Sequence, residues 1–285
     1  MTSVPFWREQ GAGEAVVCLH SNASNSAQWR PLANLLAERF RVIAVDGHGV
    51  GNSPDWPADS PARLDAEVRL LAPVFERAGS AFHLVGHSYG GAVALLAAAA
   101  LGARVRSLAV YEPTLFSLVA GADPAHSPAA GIWHAASDAA RAVARGDADD
   151  AARGFVDFWS GGGAWAAIPE ARRAAVRDAV RHVGRWHDAT FARSLPAEAL
   201  SALDVPVLLM WGERSPQSSL AVARLLAATL PRVTSAPQPG IGHMGPITDP
   251  ERVNAQLASF LALRRSTLPE NARAPAPAAG VPADP

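Results

Sequence analysis

The residue best placed to do chemistry in this chain of 285 residues is a serine set between two glycines. Gly86-His87-Ser88-Tyr89-Gly90 fits the pattern G-x-S-x-G. The pentapeptide alone is a weak signal, but its setting strengthens it. An apolar run, LVGH, leads in, and a small-residue stretch, GGAVALLAAAA, leads out. A residue held on a sharp strand-to-helix turn needs glycine on both sides, because a side chain there collides with the backbone. Such a turn lifts the Ser88 hydroxyl out of the sheet at a helix N-terminus, where it can attack a carbonyl carbon. The competing reading is a glycine-rich turn whose serine only caps the helix; the strand–turn–helix setting weighs against it.

Other chemistries lack their residues. Every basic residue is arginine, so Schiff-base lysines and the P-loop lysine are both excluded. There is no H-E-x-x-H and no cysteine cluster, so neither a metal nor a cofactor is expected. The only cysteine, Cys18, lies in the apolar run AVVCLH and reads as a buried structural thiol. A net charge of −1 offers no electrostatic case for nucleic acid. No apolar run is long enough for a membrane span, and the N-terminus lacks a signal pattern. A cytoplasmic protein acting on a small molecule is the expectation; oligomeric state is open.

The elements that must carry Ser88 are legible as a rhythm. Apolar runs recur at 14–20, 40–46, 81–87, 104–112 and 205–213, most of them continuous, as for strands covered on both faces. Helix-like stretches at 29–38, 62–78 and 89–101 lie between them, which predicts a mostly parallel α/β sheet flanked by helices. From Thr114 to Ala202 the strands stop. Helices are expected there from a cap at Ser137, over DADDAARGFVDFW, and over IPEARRAAVRDAVRHVGRW with Pro169 in the first turn. This predicts a core of 1–113 and 202–265 and an inserted helical cap, 114–201. Residues 266–285 read as a disordered Pro/Ala-rich tail.

Further motifs make the chain resemble the α/β-hydrolase fold family over about residues 4–113 and 203–264. His20 ends the first long run, Asp46 to Ser53 reads D-x-x-G-x-G-x-S, and Gly240-Ile241-Gly242-His243-Met244 resembles the family's late glycine–histidine turn. The resemblance implies that His243 is the base for Ser88, with serine before histidine in chain order. It also implies an oxyanion hole of two backbone amides, Tyr89 after the nucleophile and Asn22 after His20. Ser21 stands where the family usually has glycine.

The acid departs from the usual pattern. The stretch LLMWGERSPQ, 208–217, reads as the end of a strand running into a turn that commonly carries the aspartate orienting the histidine, and here that position is Ser215. Two glutamates compete for the role. Glu213 follows Gly212 directly, so its direction is open. Glu112 ends an apolar strand beside the strand that holds Ser88, and an unpaired charge there is costly. Some members of the family place their acid after this strand. Glu112 is the preferred acid, with Glu213, another residue or an acid-free pair as alternatives. A serine nucleophile, rather than the aspartate of the family's dehalogenases, points to acyl transfer.

The resemblance then implies a serine hydrolase for a small to medium, largely apolar ester or lactone. Carbon–carbon, thioester and amide hydrolysis use the same residues, and a non-catalytic binder on this fold is the other class. Trp133 and Trp159 are expected to line the pocket over Ser88. Arg173, Arg177, Arg181 and Arg185 recur every four residues, either as a solvated face or as a site for an anionic substrate.

Overall fold

The apolar runs become strands of one sheet in the computed structural model, which describes residues 4–57, 61–193 and 195–265. Its strands are β1 (Trp7–Gln10), β2 (Glu14–Leu19), β3 (Phe40–Val45), β4 (Phe82–His87), β5 (Val105–Tyr111), β6 (Val207–Gly212) and β7 (Val233–Gln238). The order is β1-β3-β2-β4-β5-β6-β7, with only β1 antiparallel to its neighbour. Continuous hydrophobicity follows from this position. In β2, Ala15, Val17 and Leu19 enter one core while Val16 and Cys18 enter the other. In β5, Leu108 and Val110 face the first core, and Ala109 and Tyr111 face the second. Full burial of such an aliphatic side chain stabilises by about 1.5–3 kcal/mol.

Helices cover both faces. Before the central strands run out come α1 (Arg30–Leu36), α2 (Leu64–Leu70), α3 (Ala72–Ala78) and α4 (Tyr89–Leu101). Between β5 and β6 lie α5 (Ala130–Ala144), α6 (Ala148–Ser160), α7 (Ala164–Ala167), α8 (Glu170–Val180), α9 (Val183–Phe191) and α10 (Ala197–Ser201). The chain closes with α11 (Gln217–Thr229), α12 (Gly245–Thr248) and α13 (Pro250–Ala262). Side chains of α1 and α13 fill the core with Val16 and Cys18; α4 lies in the other, buried from Tyr89 to Ala98. Its alanines and glycines let it approach the sheet closely. Among the described residues no helix is long and apolar enough to cross a membrane.

Several sequence expectations are corrected. The edge strands β1 and β7 are largely exposed and lack an apolar run, so nothing marked them. An edge also tolerates Pro237, which cannot donate to a ladder. The stretch 62–78 is two helices, with Pro73 in the first turn of α3. Ser137 is not a cap: α5 starts seven residues earlier, after a turn in which Ser127 Oγ accepts from Ala129 N–H at 3.0 Å. Pro169 is the residue before α8 rather than inside its first turn, and the long helix expected after it breaks at His182. The tail 266–285 lies outside the described residues.

Candidate active site

Ser88 sits on the tight turn between β4 and α4 with φ +56°, a left-handed conformation that costs a non-glycine residue about 1–3 kcal/mol. The flanking glycines are needed for space. A Cβ on Gly86 would lie 2.5 Å from the Gly90 carbonyl oxygen, and one on Gly90 would lie 2.4 Å from that of Leu19. The turn is held by Ser88 N–H donating to Tyr111 O at 2.9 Å and Thr114 N–H donating to Ser88 O at 3.2 Å.

Three side chains distant in sequence meet here. Ser88 Oγ donates to His243 Nε2 at 2.9 Å, and His243 Nδ1 donates to Glu112 Oε2 at 2.6 Å. All three are buried. Glu112 directly follows β5 at φ +46°, and its side chain reaches across to β6. There its Oε1 accepts from Gly212 N–H at 2.7 Å and from Ser215 Oγ at 2.5 Å. Ser215, at the position where an aspartate was sought, is thus a donor to Glu112. Glu213 is exposed, and no bond joins it to His243 among the described residues.

A second layer fixes the histidine from behind. Tyr111 OH donates to Gly242 O at 2.8 Å, and His87 Nε2 donates to His243 O at 2.9 Å. His87 Nδ1 then accepts from Gln28 Nε2 at 3.1 Å, while Gln28 Oε1 accepts from Ser21 N–H at 3.1 Å and Ser21 Oγ at 3.0 Å. Burial holds His87 well below its ordinary 6.5, so its ring is neutral and its two nitrogens keep separate roles. Ser21 is thereby built into the network rather than merely replacing a glycine. Nothing in the sequence signalled Gln28.

The loops beside Ser88 are anchored too. His20 Nε2 accepts from Gly47 N–H at 3.0 Å, and the Asp46 carboxylate accepts from Ser26 N–H at 2.6 Å and Asn52 N–H at 3.2 Å. The Tyr89 and Asn22 amides have no hydrogen-bond partner among the described residues. His83 lies at the far end of β4, on Ser107 and Glu14. Burial pushes the Cys18 thiol far up, so it stays protonated. No group of three or more His, Cys, Asp or Glu gathers as a metal site among the described residues.

A cavity of about 580 Å³ opens over Ser88 and His243, within the usual range for a small-molecule site. Phe116, Ile132, Phe155, Trp159, Trp186 and Phe191 are among the residues of its apolar wall. Trp159 stacks on the His243 ring, centroids 3.9 Å apart and planes 25° apart. Trp133 is a correction: it is outside the wall and packs on His187 and Phe191 at 4.4 and 4.9 Å. Its neighbour Ile132 takes the inward position on α5, and consecutive helical residues point about 100° apart. The arginine stripe is largely tied up on the surface. Arg173 pairs with Glu170, Arg177 with Glu170 and Asp149, and Arg181 with Asp55 and Asp178.

Glu67 is a buried carboxyl near this site. Its oxygens accept from His48 N–H at 3.2 Å and Tyr89 OH at 3.4 Å, and burial pushes it from 4.5 up to about 7. A raised pKa means that the folded protein binds this proton more tightly than the unfolded chain. Its contribution is present below pH 4.5 and is lost as pH rises through about 7, a loss of about 3 kcal/mol. Glu67→Gln is therefore expected to flatten the fall in melting temperature between pH 5 and 8, gaining several degrees at the upper end. An equal offset between variant and wild type at every pH contradicts this.

Comparison with known proteins agrees with the architecture. A model described as the alpha/beta hydrolase family matches residues 16–256. The 2-(acetamidomethylene)succinate hydrolase of Mesorhizobium japonicum is 36% identical over 109 residues, covering 38% of each protein. A pimeloyl-[acyl-carrier protein] methyl ester esterase of Aliivibrio salmonicida is 32% identical over 108 residues, 38% of this chain and 39% of that enzyme. These matches span about two fifths of the curated relatives. Over the whole fold, the crystal structure of an alpha/beta hydrolase from Sphaerobacter thermophilus superposes with a TM-score of 0.67 at 26% identity, covering 90% of this chain and 96% of that one.

Proposed function

The chain belongs to the alpha/beta hydrolase family, and from that premise we propose that it is a serine hydrolase cleaving a small to medium, largely apolar ester or lactone. The observation that carries this reading is the unbroken hydrogen-bonded row Ser88–His243–Glu112 beneath an apolar cavity. The named relatives, a hydrolase and an ester esterase, are consistent with it.

In this reading Ser88 Oγ bonds to the carbonyl carbon as its proton passes to His243 Nε2, and Glu112 stabilises the imidazolium. The carbonyl π electrons move to oxygen. The Tyr89 and Asn22 amides donate to that oxyanion, each worth about 3 kcal/mol at the transition state. The carbon–oxygen bond to the alcohol breaks, and the departing oxygen takes the proton from His243. Water then attacks the acyl-enzyme, passing a proton to His243, which returns it to Ser88 as the acid is released. The helices of 114–201 act as the cap, with Trp159 covering His243 against bulk water.

Neutral ester turnover tests the reading. Purified protein should hydrolyse 4-nitrophenyl butyrate with a burst of nitrophenol stoichiometric with enzyme, as for any accumulating acyl-enzyme. Absence of turnover with acetate, butyrate and small lactones alike would reject it.

A further inference from the structure

We propose that the cavity over Ser88 is built for an ester or lactone whose apolar body bears a carboxylate, and that Arg172 is the residue that receives it. This rests on the hydrolase reading above and narrows its substrate class. Among the described residues lining the cavity there is no aspartate or glutamate, and Arg172 is the only arginine. The wall otherwise consists of aliphatic, aromatic and hydroxyl side chains with Asn22, Met244, His187 and His243. A carboxylate entering this space meets one permanent positive charge and no negative one.

Arg172 also differs from its neighbours on α8. Arg173 is spent on Glu170, Ile168 O and Ala166 O, and Arg177 on Glu170 and Asp149. The Arg172 backbone N–H donates to Pro169 O at 2.8 Å, but its guanidinium has no hydrogen bond or ion pair among the described residues. The helical period explains the split. Arg172 and Val176, four apart, share the face that lines the cavity, whereas Arg173 and Arg177 share the next one. The anionic-substrate idea thus moves off the four-residue stripe and onto the arginine beside it. Guanidinium binds a carboxylate through two parallel N–H···O bonds; Arg172 is exposed, so its charge stands where the cavity meets solvent and salt screens it.

The test compares mono-4-nitrophenyl esters of hexanedioic, octanedioic and decanedioic acids with the same compounds masked as methyl esters at the far carboxyl. For at least one chain length, Arg172→Gln should lower the kcat/KM ratio of free acid to methyl ester by about tenfold, mainly through KM. Arg172→Lys should keep part of the ratio, since it retains the charge but not the fork. Raising salt should compress the wild-type ratio towards that of Arg172→Gln. Arg173→Gln, on the paired face, should leave the ratio where it was. A ratio that Arg172→Gln fails to move at every length overturns the proposal while leaving ester hydrolysis intact. If wild type turns over 4-nitrophenyl butyrate but neither series, the carboxylate proposal fails alone; if it turns over no ester or lactone, the hydrolase reading fails and the proposal falls with it.

Discussion

Replacing Glu112 with glutamine is expected to lower kcat for 4-nitrophenyl butyrate by on the order of 10³–10⁴ while the protein stays folded. The size follows from the partners of the carboxylate. Oε1 accepts from both the Gly212 amide and the Ser215 hydroxyl, so a glutamine keeps its oxygen on that side. Its NH₂ group then faces His243 Nδ1, where Glu112 Oε2 now stands at 2.6 Å. Two donors cannot share that contact, so the imidazole moves its proton to Nε2. In that tautomer His243 cannot accept from Ser88, and the base is lost although every side chain is close to its place. Circular dichroism and a thermal melt alongside the kinetics separate this from unfolding. A glutamine variant as active as wild type would remove Glu112 from the mechanism.

The second large effect is at Ser88. Ser88→Ala should reduce kcat by roughly 10⁵–10⁶, and the Ser88→Ala/Glu112→Gln double variant should lose no more than Ser88→Ala alone. Residues that act as one unit are not additive: once the nucleophile is gone, a correctly oriented base has no proton to take. Alanine at φ +56° carries the same backbone strain as serine, so stability changes little. Substrate affinity should persist in Ser88→Ala, because the apolar wall of the cavity is untouched. If the two losses instead multiply, Ser88 and Glu112 act on different steps and the row is not a working unit.

What was legible in the sequence was what local sterics and burial write into it. The glycines around Ser88 are obligatory because backbone passes within 2.5 Å of where their side chains would be. The buried strands show as continuous apolar runs because alternate residues face two separate cores. Glu112 was readable because a carboxylate at the end of an apolar strand needs partners, and the structure supplies His243, Gly212 and Ser215. His243 needed the family resemblance; its turn has little local signature of its own. The edge strands β1 and β7 were invisible because exposed strands need no apolar pattern. Trp133 was misplaced because sequence does not say which way a helix is rotated, and one residue decides between wall and packing. Gln28 was missed for a different reason: it joins Ser21 to His87, itself 59 residues away from Gln28, and no spacing rule predicts that.

The central claim is that Ser88 is a nucleophile activated by the row behind it, and covalent trapping tests it most directly. Wild type and Glu112→Gln are incubated with a small serine-directed alkyl phosphonate, and the adduct is located by peptide mass mapping over a time course. One adduct per chain is expected, on Ser88, formed rapidly in wild type and orders of magnitude more slowly in Glu112→Gln. Labelling of wild type no faster than that of free serine, or with no preference for Ser88, would mean that the cavity binds without catalysing and that the row is a structural remnant.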